Sequence, residues 1–255
     1  MRLPRLYAPG EVQLIQVRFT DNMLQAWQTD SGRALLDRAS AWLADEVKAN
    51  TLSLHAWSLT PSRLALLLTA SEPRAVARCV QSLGRRLGAA IHAGSVFAAR
   101  YKSALIQAQW VLAAQVWTEH APVLDGWATD PASWPWSSAA THVGLNVGLS
   151  QSPVPLVAHA TYWACGNTPF DRQANYQNRL REFLSSAQRQ QIESALEGQW
   201  ALGSADYLES LGRVASRRVS PGKRGRPKKV QSNTDLVSVD DPSPLISLQT
   251  RAVFK

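Results

Sequence analysis

The first half of the chain alternates between segments with strand-like and helix-like hydrophobic patterns. Residues 12–19 and 52–59 carry apolar side chains at largely alternating positions, which is typical of half-buried strands. Residues 64–69 are almost entirely apolar, which predicts a short strand that is buried on both faces. Between the first two strands, apolar residues recur at helical spacing from Leu35 to Val47, so a helix is predicted to run to about Ala49.

A second helix and a fourth strand extend this pattern. Helical spacing continues from Glu72 to Gly88, and Pro73 is tolerated because it falls in the first turn. Residues 95–105 are predicted to be extended, and another helix is predicted over residues 107–120. The order strand, helix, strand, strand, helix, strand predicts an α+β, ferredoxin-like fold, with an antiparallel sheet and helices on one face.

The rest of the chain predicts two further regions. The ferredoxin-like domain is assigned to residues 1–125, and a tryptophan-rich, helical region to residues 126–212. Its helices are expected at residues 170–184, 186–196 and 204–211. Residues 213–255 form a basic tail, in which proline, glycine and charge dominate from residue 220 onward, so disorder is expected.

The charge is distributed unevenly. The chain has 27 basic and 19 acidic residues, and eight of the basic residues but no acidic ones lie between residues 213 and 229. The body is therefore formally neutral and carries a cationic arm. This arrangement favours a polyanionic partner, although a solvated charge run on a disordered tail would look the same.

Several protein classes are excluded by composition. No apolar run approaches the roughly 20 residues of a membrane span, and the first residues lack the long apolar segment of a secretory signal. Cys79 and Cys165 are far apart and form no CxxC motif, which argues against a disulfide framework or a cysteine zinc site. The five histidines have no i, i+2 or i, i+4 spacing, so no local metal clip is expected.

Short segments spread along the chain carry a resemblance to a known family. They are LPRLYAPG (3–10), HAWSLTP (55–61), QSLGRR (81–86), RYKSALI (100–106), PWSSAATHVGL (135–145), YWACGNTPFDR (162–172), WALGSADYL (200–208) and RGRPKK (224–229). In this order and spacing, they are similar to the REP-associated tyrosine transposases, bacterial relatives of the small single-tyrosine HUH transposases. The resemblance covers nearly all of residues 1–229. It implies a ferredoxin-like catalytic domain, a cytoplasmic, nucleoid-associated location and structured single-stranded DNA as the ligand.

The resemblance also indicates that the active site has been lost. In this family, two histidines on one strand hold a divalent metal such as Mg²⁺, and a helical tyrosine attacks the scissile phosphate. Arg63 and Ala65 stand at the histidine positions, and Trp117 stands at the tyrosine position. Alanine has no ligand atom, arginine stays protonated and an indole is no nucleophile. We therefore expect no bound metal, no cofactor and no strand cleavage.

Two alternatives to a non-cleaving DNA-binding protein remain open at this stage. The chain could be a divergent but active transposase whose chemistry has moved to another tyrosine, such as Tyr101, although a core or base-stacking role for Tyr101 competes with this. It could also be a decaying product without a selected function. RNA binding is a weaker variant of the DNA-binding hypothesis, since stem-loop recognition and a cationic arm suit RNA as well.

The candidate DNA-binding residues are all basic. Arg63 could replace the metal charge and hold a phosphate, or it could be an arginine freed from constraint. The RGRP core at residues 224–227 is similar to an AT-hook, in which arginines on an extended chain enter the narrow minor groove of A·T-rich DNA. The full set is Arg63, Arg85, Arg86, Arg100, Lys102, Arg217, Arg218, Lys223, Arg224, Arg226, Lys228 and Lys229. No membrane contact is expected, and the sequence does not select an oligomeric state.

Overall fold

The structure, a computed structural model, describes residues 4–145, 154–215 and 217–222. Met1–Pro221 belong to one compact unit, so the predicted regions 1–125 and 126–212 both lie within it. Gly222–Lys255 form a second unit, and the predicted AT-hook falls in it, outside the described residues. Among the helices of the described residues, none is long and apolar enough to cross a membrane.

Four antiparallel strands form the centre of the fold. They are β1 (Val12–Arg18), β2 (Leu52–Leu59), β3 (Arg63–Ala70) and β4 (Lys102–Ile106), and they lie in the order β2-β3-β1-β4. This strand order, with helices following β1 and β3, is that of a ferredoxin-like sheet and confirms the predicted α+β class. A two-residue strand, β5 (Ala201–Leu202), pairs in parallel with β4 and extends the sheet at that edge.

Three helices cover one face of the sheet. They are α1 (Asp21–Trp27), α2 (Gly32–Ala49) and α3 (Ala75–Ala90). Apolar residues at helical spacing from α2 and α3 pack with Trp57 of β2 and the inward side chains of β1 and β3 in the largest hydrophobic core. Burial of this stripe, rather than helix propensity, is the main source of stability for such helices.

The other face of the sheet is covered as well, which the expectation of helices on one face did not include. Helix α4 (Ala108–Glu119) and helix α9 (Ser186–Gly198) pack there. Trp117 of α4 and Ile192 of α9 are buried with Leu14 and Leu67 from the sheet. This second cover explains why the β3 sequence is apolar at nearly every position rather than alternating.

The remaining helices surround α4 and the sheet edge. They are α5 (Ala121–Leu124), α6 (Ala139–His142), α7 (Ala160–Trp163), α8 (Pro169–Glu182) and α10 (Ala205–Val214), with a 3-10 turn at Pro131–Ser133. The N-terminus of α8 is capped by the Thr168 hydroxyl, and that of α9 by a Ser185–Gln188 capping box.

Strand β4 is shorter than the extended segment predicted over residues 95–105. Gln16 pairs with Lys102 and Phe19 bridges Phe97, so five steps along one strand oppose three along the other. Two extra residues therefore bulge out between these pairs. Residues 98–101, which we call the bulge segment, contain these two extra residues.

Candidate nucleic-acid interface

The three positions matched to the metal ligands and the nucleophile lie together in space. Arg63 and Ala65 are two residues apart on β3, so both side chains point to the face that α4 covers. Trp117 lies in the last turns of α4, and its ring centroid is 5.2 Å from the Arg63 guanidinium carbon. Ala65 and Trp117 are buried in the same hydrophobic cluster.

Asp125, just after α5, holds the Arg63 guanidinium in place. Nε of Arg63 donates to Oδ2 of Asp125 at 3.1 Å, and an NH2 nitrogen lies 2.9 Å from Oδ1. The Thr60 hydroxyl donates to the same carboxylate at 2.8 Å. The two charged side chains are only 11% and 14% exposed. A phosphate could reach the front of this guanidinium only by displacing Asp125.

The electrostatics of this site do not fit a divalent cation. Burial lowers the pKa of Arg63, and the Asp125 carboxylate acts in the opposite direction, so the guanidinium stays charged. The Asp125 carboxylate is already neutralised by this pair, and Ala65 offers no donor atom. A second carboxylate, that of Glu193, accepts a hydrogen bond from the Trp117 indole at 3.5 Å. Within the described residues, no group of three or more His, Cys, Asp or Glu side chains could hold a metal ion.

Tyr101, the candidate substitute nucleophile, lies on the other face of the sheet. It packs against the core that contains α2 and α3, whereas Trp117 belongs to the core beneath α4. The Arg5 guanidinium carbon lies 4.2 Å from the centroid of the Tyr101 ring, and Arg5 also donates to the Tyr101 carbonyl. Burial raises the pKa of the Tyr101 phenol, and the charge of Arg5 only partly opposes this.

Four of the seven candidate DNA-binding residues within the described part, Arg63 among them, are engaged with other groups. Arg86 pairs with Asp45 at 2.9 Å and with Glu46 at 3.4 Å, and Lys102 pairs with Glu197. Arg217 donates to the Gln199 carbonyl and lies over the Trp200 ring.

Three others, Arg85, Arg100 and Arg218, are exposed, and Arg218 also donates to the Pro221 carbonyl at 3.4 Å. Lys223, Arg224, Arg226, Lys228 and Lys229 lie outside the described residues. The role of each of these residues in DNA binding stays a prediction.

A buried polar network, which the sequence reasoning missed, ties three helices together. Glu119, at the end of α4, is fully buried. Its Oε1 accepts from the Ser138 hydroxyl and from Nδ1 of His142, each at 2.5 Å, and its Oε2 accepts from the Tyr176 hydroxyl at 2.6 Å. Burial and the neighbouring carboxylate raise the pKa of Tyr176, so this phenol stays a donor.

The arrangement of this network points to a scaffolding role. Every partner of Glu119 comes from another element, and all four side chains are buried. In the sequence, Glu119 stands two residues after Trp117, but no local pattern indicates that its carboxylate is buried. Asp125 gave no sequence signal at all, because its partner is 62 residues away along the chain.

Comparison with known proteins finds similarity only at the level of structure. No family model matches the sequence, and no curated protein matches it. One similar structure is a REP-associated tyrosine transposase bound to a REP hairpin, at 13% identity and a TM-score of 0.47, covering 62% of this chain and 96% of that one. Another is a candidate transposase from Deinococcus radiodurans R1, at 16% identity and a TM-score of 0.31, covering 50% and 98%. At these identities and TM-scores, neither structure assigns a function to this chain.

Proposed function

We propose that this protein binds DNA on a transposase-like scaffold and does not cleave DNA strands. The observation that carries the proposal is the packing of Arg63 on the Trp117 ring, together with the ion pair between Arg63 and Asp125. The positions expected to supply a metal ligand and a nucleophile supply instead an ion pair and an indole. This contact fills the space between β3 and α4 with side chains that have no chemistry toward a phosphodiester.

The charge of the chain supports DNA as the ligand. The net charge is +8, and several arginines of the body are exposed. We assign hairpin or single-stranded DNA to the body and A·T-rich duplex DNA to the RGRP segment of the tail. Binding of this kind is driven by counterion release, so it weakens as salt is raised.

Two observations weigh against a nucleophile relocated to Tyr101. The side chain lies on the face of the sheet opposite Arg63 and Trp117, and its phenol has a raised pKa. A tyrosine nucleophile works best when its oxygen is readily deprotonated beside an activating group, and burial has the reverse effect.

The test combines binding and cleavage in one reaction. Purified protein is incubated with end-labelled DNA hairpins that carry single-stranded extensions, in the presence of Mg²⁺, and run on matched native and denaturing gels. We expect a shifted band on the native gel and only the intact strand on the denaturing gel. A shorter strand or a covalent protein–DNA adduct would overturn the loss of cleavage, and the absence of any shift would overturn DNA binding. An RNA hairpin of the same sequence serves as the competitor.

A further inference from the structure

A groove lies beside the bulge segment, on the side of the sheet away from Arg63. It has a volume of about 450 Å³ and lies between the N-terminal arm, the first turns of α3 and residues 97–101. Its aromatic lining is provided by Tyr7, Phe97 and Tyr101. Sites for ligands of nucleotide size fall in a range of about 300–1,000 Å³, so the groove is large enough for unpaired bases and too small for a duplex.

The groove is positively charged. Arg5, Arg74 and Arg100 line it, and none of the described residues that line it is acidic. Arg74 and Arg100 are exposed, and no ion pair within the described part of the chain involves either of them. The nearest acidic residue in sequence, Glu72, is paired with Arg78.

The arginines of the groove also influence one another. Burial is the main cause that lowers the pKa of Arg5, and the charge of Arg100 lowers it further. The two guanidinium groups repel each other because they carry like charges, and an anion placed between Arg5 and Arg100 would relieve this repulsion.

The bulge and a glycine of α3 together shape the aromatic wall. The Phe97 ring stacks on Phe19 with centroids 5.5 Å apart, and its edge approaches Gly84. A Cβ at position 84 would lie only 2.6 Å from Cε2 of Phe97. The absence of a side chain at Gly84 therefore allows the ring to sit where it lines the groove. Bulges commonly re-aim side chains beside functional sites in this way.

We propose that this groove binds the unpaired nucleotides of single-stranded DNA next to a hairpin. The aromatic side chains stack on the bases, and Arg74 and Arg100 contact the phosphates. The inference rests on the proposed DNA-binding function and adds to it the place where the single strand is held. It gives the aromatic residues a purpose that binding of a duplex does not require.

The experiment compares two labelled DNA hairpins that differ only in a six-nucleotide single-stranded extension. Their affinities are measured by fluorescence anisotropy for the full-length protein and for the double variant Arg74→Gln/Arg100→Gln. We expect the extended hairpin to bind more tightly, and the double variant to lose about tenfold in affinity for it while binding the blunt hairpin nearly as before. The slope of log K against log salt should fall by about 1.4 for the extended hairpin, which corresponds to two lost contacts with a single strand.

The matched control is Arg181→Gln on α8. Arg181 is exposed, has no role in the groove, and its replacement removes a positive charge from a helix. We expect it to weaken binding of both hairpins by the same small factor. If the double variant also weakened both hairpins equally, the groove would not hold the extension and the inference would be wrong.

A second variant tests stacking separately from charge. Phe97→Leu keeps an apolar side chain but removes the ring, and it should lower affinity for the extended hairpin at least fivefold, with recovery in Phe97→Tyr. Replacing one base of the extension with 2-aminopurine should give fluorescence quenching on binding to the unaltered protein and less quenching with Phe97→Leu. Thermal unfolding of each variant shows whether the fold is retained.

The outcomes separate the two proposals. If the blunt and extended hairpins bind equally well, the groove inference fails while DNA binding stands. If an RNA extension of the same sequence binds more tightly than the DNA extension, single-stranded DNA is the wrong occupant. If neither hairpin binds at moderate salt, the proposed function and the inference that rests on it both fail.

Discussion

Each face of the central sheet carries an arginine packed over an aromatic ring, and the two contacts differ in their surroundings. On one face, Arg63 lies over Trp117 and is neutralised by Asp125 in a nearly buried pair. On the other, Arg5 lies over Tyr101 beside Arg74 and Arg100, in a groove whose described lining contains no acidic residue. An arginine packed over an aromatic ring is therefore neutralised and inaccessible to anions on one face, whereas on the other it belongs to a positively charged groove. The counter-ion and the burial decide between these outcomes, not the arginine itself.

The largest expected effect comes from removing the charge of Asp125, the counter-ion of Arg63. Asp125→Asn leaves the Arg63 charge buried and only partly hydrogen-bonded, which should lower the free energy of unfolding by about 3 kcal/mol. Urea unfolding followed by circular dichroism measures this loss.

A surface ion pair provides the control for Asp125→Asn. Glu209 pairs with Arg213 at 2.7 Å, but both side chains are more than two thirds exposed, at 72% and 74%. Glu209→Gln should change the free energy of unfolding by less than about 0.5 kcal/mol. Equal effects of the two variants would mean that the Arg63–Asp125 pair is not the buried contact that closes this face.

A smaller effect should follow when the open groove is given the counter-ion that it lacks. Ala99 is exposed and lines the groove, so Ala99→Asp would place a carboxylate near Arg74 and Arg100. We expect affinity for the extended hairpin to fall about tenfold, or about 1.4 kcal/mol, with little change in thermal stability. Ala174→Asp adds the same charge to the exposed face of α8 and should have a much weaker effect. Equal losses would show that overall charge, rather than the groove, governs the affinity.

The last effect concerns pH and separates stability from binding. Burial lowers the pKa of His55, His120 and His159 below the usual 6.5, so the unfolded chain binds protons before the folded one does. The histidine contribution to the free energy of unfolding should therefore be fully present above pH 6.5. It should decrease as the pH drops below 6.5, by at most about 1.4 kcal/mol per pH unit for each histidine. The groove relies on arginines, which do not titrate in this window.

Two measurements between pH 7.5 and 5.5 check this difference. Urea unfolding should give a lower free energy at the acidic end, while anisotropy at constant ionic strength should give a nearly constant affinity for the extended hairpin. A constant free energy of unfolding would contradict the lowered histidine pKa values. Affinity that changes strongly with pH in a folded sample would indicate that a histidine, and not only arginine, contacts the DNA.

The elements of the fold followed from local patterns along the chain. The predicted strand over residues 52–59 and the predicted helix ending near Ala49 agree with β2 and α2, because a period of two or 3.6 residues is set by near neighbours in sequence. Helix α9, predicted over residues 186–196, begins at the predicted residue because Ser185 and Gln188 form a recognisable capping box.

The features that were missed depend on partners far apart in sequence. The bulge before β4 requires Phe97 to reach Phe19 and Gly84, and no local pattern over residues 95–105 distinguishes it from a regular strand. The candidate site was predictable only in part for the same reason. The resemblance pointed to Arg63, Ala65 and Trp117, whereas the ion pair between Arg63 and Asp125 could be seen only in the three-dimensional structure.

The buried carboxylate of Glu119 limits how this protein can be divided. Glu119 belongs to the first 125 residues, but all three of its side-chain donors, Ser138, His142 and Tyr176, come from the region after them. A fragment that ends near residue 125 would leave this carboxylate without its protein donors, and a fragment that starts there would leave three donors without an acceptor. The two parts of the compact unit therefore depend on each other for a fully hydrogen-bonded core. A chimaera joined at this point should lose stability unless one parent supplies the acid and the other its donors.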